Sequence, residues 1–265
     1  MDHAHMRKFT LIIIFLFSLS SQALAAITLS QSLGAQDDGT NKQTSAGVTL
    51  SSVTAGNLIV TVLSVDKNSG AITVPTGFTL INDNVATSVS VAAAYKVATG
   101  GETTITWSWT ASQFFSVWAG EYAGGVKTLD VAAENSTESV VTSLSSGTTA
   151  TTTKANGLGF AYMASDTGNN TDGTRGWTNS FTENGWQGSG GAGTPGLSTA
   201  HLLDLGTVGT KETTFSCTDT GDQMAVGVAA FNLSGIKTVN DLAKASVKTI
   251  NGLAIGSVKS RDGLS

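Results

Sequence analysis

The chain has 265 residues, of which 40% are hydrophobic and only 12% are charged, and its formal net charge is −5. The apolar content is high enough to fill a core, which excludes an intrinsically disordered chain. An acidic chain is poorly suited to the phosphate backbone, so we expect no nucleic-acid partner. The single cysteine, Cys217, excludes a disulfide within the chain.

Residues 1–25 have the pattern of a secretory signal peptide. Arg7 and Lys8 precede an apolar run over residues 11–19, and Ala23-Leu24-Ala25 is a small-x-small cleavage motif. The apolar run is shorter than the ~20 residues that span a bilayer. We therefore predict a secreted, extracellular or cell-surface protein with no membrane span after the signal is removed.

The pattern of residues 56–124 recurs in residues 156–235, and this repeat is the strongest signal in the chain. Both copies contain a strand-like run, a Gly-aromatic-Thr motif and a Glu-Thr-Thr strand start. The matched segments are Gly56-Asn57-Leu58 with Asn156-Gly157-Leu158, Gly77-Phe78-Thr79 with Gly176-Trp177-Thr178, and Glu102-Thr103-Thr104-Ile105 with Glu212-Thr213-Thr214-Phe215. The repeat predicts one domain, residues 26–235, built from two similar halves at about 50–125 and 150–235.

The periodicity within each half is that of β-strands. The run from Leu58 to Leu63 is apolar on nearly both faces, which predicts a central strand. In residues 103–109, Ile105, Trp107 and Trp109 alternate with polar residues, as in a half-buried strand. No apolar period of 3.6 precedes residue 235. We therefore predict an all-β protein, an antiparallel β-sandwich or jelly roll.

Residues 236–265 form a second, shorter repeat of eleven-residue units containing Lys, Asn or Asp, and Leu. Asn251-Gly252 and Asp262-Gly263 are pairs that favour tight hairpin turns. Each unit therefore predicts a minimal hairpin, with a frayed helix as the rival for the first unit. Such small hairpins bury too little surface to stand alone. We expect them to pack on the sandwich or to join copies of the chain into a homo-oligomer.

Hydrolytic catalysis would need a nucleophile with a base, or two placed carboxylates. The only histidine after the signal segment is His201, in a predicted strand from Ser198 to Leu205 where it matches Val91 of the first half. Glu102 and Glu212 are equivalent in the repeat, so we interpret them as strand starts. The sequence predicts no enzyme.

Residues 166–198 resemble an irregular loop inserted into the second half, because they are rich in Gly, Asn, Asp and Ser. Long loops on a compact scaffold are often functional. Asp166, Asn170 and Asp172 supply oxygen ligands of the kind that calcium prefers, which makes calcium a candidate cofactor. The alternative is a bare turn, since the same residue types build turns.

The same segment contains the candidate sugar-binding residues. Trp186 has no counterpart in the first half, and an aromatic ring can pack on the apolar face of a pyranose. Polar side chains nearby could fix the hydroxyl groups, and the full candidate set is Trp186, Asn184, Gln187 and Arg175. The alternative is that Trp186 folds back to cap the sandwich.

Several motifs together resemble a β-sandwich module found in secreted bacterial proteins and in phage virion and tail-associated proteins. They are Gly56-Asn57-Leu58-Ile59-Val60, Pro75-x-Gly77-Phe78-Thr79, Tyr95-Lys96-Val97-Ala98-Thr99-x-x-Glu102, Trp107-x-Trp109-x-x-Ser112 and Glu121-Tyr122-x-Gly124. The Lys-x-x-Asn-Gly-Leu units of the tail are similar to short C-terminal repeats of phage structural proteins. The resemblance implies an adhesion or virion-surface role and no catalytic residues, and the signal peptide favours the secreted bacterial group.

The sequence thus predicts a secreted, non-enzymatic surface or adhesion protein whose partner is an extracellular glycan. One alternative is a structural subunit of an extracellular fibre or a phage virion or tail, assembling through residues 236–265. The other is a polysaccharide-degrading enzyme. That enzyme would need an acidic pair in a groove, drawn from Glu102, Glu121, Asp130 and Glu183.

Overall fold

A computed structural model describes residues 26–37, 39–85, 89–166, 174–188, 193–218 and 221–234, together with the backbone of residues 249–250 and 253–254. The first half contains eight strands: β1 (Thr28–Gln36), β2 (Gln43–Thr49), β3 (Leu58–Asp66), β4 (Ile72–Thr73), β5 (Thr79–Val85), β6 (Val89–Val97), β7 (Thr104–Gln113) and β8 (Phe115–Ala123). Every strand pairing among the described residues is antiparallel.

The second half repeats this order strand for strand. Its strands are β9 (Val126–Val141), β10 (Ser143–Ser145), β11 (Leu158–Ser165), β12 (Arg175–Trp177), β13 (Thr182–Gln187), β14 (Gly196–Leu202), β15 (Thr214–Cys217) and β16 (Asp222–Leu233). In the tail, β17 (Thr249–Ile250) pairs with β18 (Leu253–Ala254), in the register that the second eleven-residue unit predicts for a hairpin. The other two predicted hairpins lie outside the described residues.

Each half is made of one five-stranded and one three-stranded sheet. The five-stranded sheets have the orders β1-β8-β3-β6-β5 and β9-β16-β11-β14-β13, and the three-stranded sheets have the orders β2-β7-β4 and β10-β15-β12. The two halves therefore share one topology. The predicted fold class, an all-β antiparallel sandwich from two similar halves, is confirmed, with the addition that each half is itself a two-sheet unit.

The side chains of β3 explain how the sheets stack. Leu58, Val60 and Val62 point into a core shared with the five-stranded sheet of the other half. Ile59, Leu63 and Val65 point the opposite way, into a core shared with the three-stranded sheet of their own half. β11 divides its side chains in the same manner. The molecule is thus four layers deep, with the five-stranded sheets inside and the three-stranded sheets outside.

β7 lies in one of the outer sheets, where only one face is covered. Ile105, Trp107 and Trp109 all enter the outer core of the first half, as their alternation predicted. In the second half, Cys217 takes the place of Trp107, because the backbone bonds Leu50 N–Thr103 O and Ser146 N–Thr213 O fix the same register in both halves. Cys217 is buried.

A pseudo-two-fold axis relates the two five-stranded sheets that meet at the seam, so each contact at one end of the seam has an equivalent at the other. At one end Tyr95 meets the ring of Phe231 edge-on, with 5.4 Å between ring centroids. At the other end His201 meets Tyr122 edge-on at 6.0 Å. Tyr95 pairs with Val60 and His201 pairs with Phe160, so the two contacts are equivalent. The predicted match of His201 with Val91 is wrong, since its structural counterpart is Tyr95.

The repeat alignment needs a second correction, at the Gly-aromatic-Thr motif. Phe78 N bonds to Pro75 O, and Phe181 N bonds to Thr178 O, in two turns that each lead directly into a strand. The strands that follow start at Thr79, which pairs with Tyr95, and at Thr182, which pairs with His201. The counterpart of Phe78 is therefore Phe181, and the predicted match with Trp177 is wrong.

At one pair of neighbouring strands in the seam, the two halves place the large side chain on opposite strands. In the first half, Val62 pairs with Trp118; at the equivalent position of the second half, Tyr162 pairs with Gly227. A Cβ on Gly227 would overlap the Tyr162 ring. Gly227 therefore provides the space through which Tyr162 crosses the neighbouring strand.

We expect Gly227→Ala to lower the free energy of unfolding by roughly 2–3 kcal/mol, because the added methyl group must displace a packed aromatic ring. The measurement is urea denaturation of the full chain. Gly185→Ala is the matched control, since a Cβ there has no heavy atom within 4 Å, and should change stability by less than about 0.5 kcal/mol. Equal effects of the two substitutions would contradict this account of the seam.

Candidate functional site

The segment 166–198 is not simply the irregular loop that its composition predicted. It contains β12, β13 and the start of β14, which are the counterparts of β4, β5 and β6. A register shift interrupts β13 between Glu183 and Gly185, and β5 has the equivalent shift between Leu80 and Asn82. The bulge breaks the apolar-polar alternation, and for this reason the segment lacks the periodic pattern of a strand.

Trp186 lies on the outer face of the inner sheet of the second half, and Arg175 lies on β12, an edge strand of the outer sheet. The Arg175 guanidinium stands over the indole ring, 4.9 Å from its centroid. The ring also packs against the outer core of its half, with its benzene edge close to Gly196. The indole thus behaves as part of the outer core, and its guanidinium-covered face is closed to a stacked sugar.

Arg175 is held in this position by Glu183. Its Nε lies 3.4 Å from Glu183 Oε1. The same carboxylate oxygen accepts a hydrogen bond from Ser198 Oγ at 3.1 Å, and Ser198 Oγ in turn accepts one from Trp177 Nε1 at 3.1 Å. This chain of polar contacts ties β12, β13 and β14 together.

Asn184 projects from the opposite face of β13, into the seam. Its amide nitrogen donates to Tyr122 OH at 3.2 Å, and its Oδ1 is in hydrogen-bond contact with His201 Nδ1. Burial raises the pKa of Tyr122 and lowers the pKa of His201. Both side chains are therefore neutral near pH 7. Tyr122, Asn184 and His201 therefore form a hydrogen-bonded contact between the halves. At the equivalent end of the seam, Ile81, Tyr95 and Phe231 make an apolar contact instead.

Gln187 also lies at the seam, where its amide group fits over Gly34 of β1. The adjacent Gly188 N donates to Gln36 Oε1. The four predicted sugar-binding residues are therefore divided between two surfaces: Arg175 and Trp186 outside, Asn184 and Gln187 in the seam. The structure does not bring them together into one site.

Of the three predicted calcium ligands only Asp166 belongs to the described residues; Asn170 and Asp172 lie outside them. Burial raises the pKa of Asp166, and the nearby carboxylates of Asp222 and Asp66 raise it further. In the described ranges, no group of three or more His, Cys, Asp and Glu side chains is arranged to hold a metal ion.

Glu121 and Asp130, two of the carboxylates proposed for the enzyme alternative, bind loops. Glu121 is buried, and its two oxygens accept hydrogen bonds from Thr54 N at 2.9 Å, Asn57 Nδ2 at 2.6 Å and Gln31 Nε2 at 2.6 Å. Asp130 accepts from the backbone N and the hydroxyl of Thr153 at 2.6 and 2.7 Å. These bonds fasten the loops at the ends of the inner sheets.

Glu102 and Glu212 have the same task at equivalent positions. Burial opposes the ionisation of Glu102, but hydrogen bonds from the backbone and hydroxyl of Thr99 and from Lys96 hold its pKa well below the usual range. Hydrogen bonds from Ser145 and Thr148 lower the pKa of Glu212. Glu102 binds the turn just before its own strand, β7, whereas Glu212, just before β15, binds the end of β10 and the segment that follows it.

Sequence reasoning missed Glu134, which occupies the position in β9 that Gly34 has in β1. Tyr162 crosses Gly227 and donates its hydroxyl proton to Glu134 Oε1 at 3.3 Å. Burial raises the pKa of Glu134 to about 8, and the charge of Asp83 on β5 of the other half contributes in the same direction. A half-buried carboxyl group with a raised pKa therefore lies where the two halves meet.

A comparison of the chain with known protein families, with curated proteins and with solved structures finds no match. The resemblance to secreted and virion-associated β-sandwich modules therefore stays a prediction. In the part of the chain that the structure describes, no helix has the length and apolar character needed to cross a bilayer.

The pKa of Glu134 predicts a pH-dependent stability. Between its ordinary value of 4.5 and about 8 the folded chain holds a proton that the unfolded chain has released. The free energy of unfolding should therefore fall as the pH rises through this range, by an amount on the order of 2–4 kcal/mol. Glu134→Gln should remove most of this fall.

The measurement is denaturant unfolding of both proteins at pH values from 5 to 9. Glu138→Gln is the control, because Glu138 is an exposed carboxylate on the same strand. Glu138→Gln should show the same fall in the free energy of unfolding as the wild type. If Glu134→Gln also shows that fall, the raised pKa of Glu134 is not its cause.

Proposed function

We propose that the chain is a secreted, non-enzymatic surface protein that binds an extracellular glycan. The main observation in support is that four carboxylates are occupied by hydrogen bonds from neighbouring segments. Each accepts two or more such bonds; they are Glu102, Glu121, Asp130 and Glu212. Oxygens occupied in this way brace the ends of the sandwich. They support a role in which rigid loops present a binding surface.

Composition and location support the same proposal. The signal-like segment of residues 1–25 directs the chain outside the cell, where glycans are the abundant polymers. The chain is rich in Ser and Thr and only 12% of its residues are charged, which suits neutral hydroxylated ligands better than ionic ones. Preorganised loops also reduce the entropy lost on binding.

The test is retention of the full mature chain on immobilised neutral polysaccharides, with dextran, mannan and cellulose as probes. We expect retention on at least one of them. Trp186→Ala should be retained equally, because Trp186 packs beneath Arg175, but should lose roughly 1–3 kcal/mol of folding stability. If the wild-type chain binds none of the neutral polysaccharides tested, the proposal is overturned.

A second candidate function, the subunit of an extracellular fibre or virion, is favoured by the pairing of β17 with β18 in the tail. A two-stranded hairpin is marginal by itself and gains stability by packing on another surface. Sister chains could supply that surface, in line with the predicted homo-oligomer.

Sedimentation measurements separate this candidate from the first. The full mature chain should sediment as an oligomer, and a chain ending at Ser234 should sediment as a monomer, since it lacks the hairpin units. A monomeric full-length chain at micromolar concentration would exclude the assembly function.

A further inference from the structure

The two halves differ most clearly at the corner where the chain leaves the inner sheet for the outer one. In the second half, β9 passes into β10 with only Thr142 between them. In the first half, residues 37–42 separate β1 from β2. A cleft lies beside the longer connection, lined by residues from β1, β2 and the start of β8.

This cleft, which we name the corner cleft, has a volume of about 370 Å³. That volume is near the lower end of the roughly 300–1,000 Å³ typical of small-molecule sites, and it suits a unit of one or two sugar rings. Its lining residues are polar except at one position: Gln36, Asp37, Asn41, Gln43, Ser45 and Phe115.

The lining has the chemistry that recognises hydroxyl groups. The side-chain amides of Asn41 and Gln43 and the hydroxyl of Ser45 carry both donors and acceptors in a small volume. Phe115 is buried and closes the floor of the cleft, with its ring packed in the outer core 5.8 Å from the centroid of the Trp109 ring. A pyranose has the matching properties, because its ring edge carries several hydroxyl groups.

The corner is fixed in shape before any ligand binds. Asp37 is buried, and its carboxylate accepts hydrogen bonds from Gly39 N at 2.8 Å, from Phe115 N, and from Thr194 Oγ1 of the other half at 3.3 Å. These bonds hold the turn, the cleft floor and the second half together. A preformed cleft of this kind loses little entropy on binding.

The charges around the cleft favour a neutral ligand. Its six lining residues include no lysine or arginine. The nearest cation along the chain, Lys42, donates to Gln113 Oε1 at 2.8 Å and lies over the Phe114 ring at 5.1 Å. A uronic acid or sulfated sugar would therefore find no cationic partner among the lining groups.

From this geometry we propose that the corner cleft binds a neutral sugar unit of an extracellular glycan. The inference rests on the proposed function and names its site. Asn41 and Gln43 bond the sugar hydroxyls, and Asp37 positions the turn.

The test uses the mature chain and the neutral polysaccharide, among dextran, mannan and cellulose, that retains it. The double substitution Asn41→Ala/Gln43→Ala should weaken binding roughly tenfold or more, the effect of losing about two hydrogen bonds. Both residues are exposed, so the unfolding midpoint should not change. Thr44→Ala is the matched control, because Thr44 is exposed on the same strand and is not a lining residue. It should bind as the wild type does.

The outcomes separate the two proposals. If the wild-type chain binds and the double variant binds equally well, the corner cleft is not the site, and the glycan-binding function still stands. If the wild-type chain binds none of the polysaccharides, both proposals fail. Equal weakening by the double variant and by Thr44→Ala would also overturn the site.

Discussion

The constraint on which this structure depends is that its inner sheets are apolar on both faces. β3 and β11 are buried along almost their whole length, and a sheet with two apolar faces must be covered on both sides. One half can cover only one face, with its own three-stranded sheet. The other face is covered by the second half, so the duplication completes the core and does not merely lengthen the protein.

The two halves share one backbone topology but place different side chains at equivalent positions in the seam. Where the first half places Trp118 beside Val62, the second places Gly227 beside Tyr162. Where β1 has Gly34, β9 has Glu134, which accepts the hydroxyl of that tyrosine. Each change is compensated by a neighbour across a strand. A large side chain on one strand is therefore matched by a small one on its neighbour, and the seam acquires a half-buried acid, Glu134, that the repeat pattern does not contain.

The sequence predicted those features that depend on local periodicity. The continuous apolar run of β3 and the alternation in β7 indicated a central and a half-buried strand, and both predictions are confirmed. The prediction failed in residues 166–198, because short strands and a bulge hide the period there. The predicted sugar-binding residues around Trp186 lie on two surfaces for a related reason: whether two residues of one edge strand share a surface depends on the bulge between them. Glu134 and the corner cleft depend on contacts between distant strands, which periodicity does not encode.

The central claim is that the two halves form one cooperative core through the seam, and hydrogen exchange of the full chain measures this directly. The amides of β3, β8, β11 and β16 should be the most protected and should all exchange in a single global unfolding event. That result would join the inner sheets of both halves in one unit. If β11 and β16 exchanged while β3 and β8 stayed protected, or the reverse, the halves would be independent domains and the account would be contradicted.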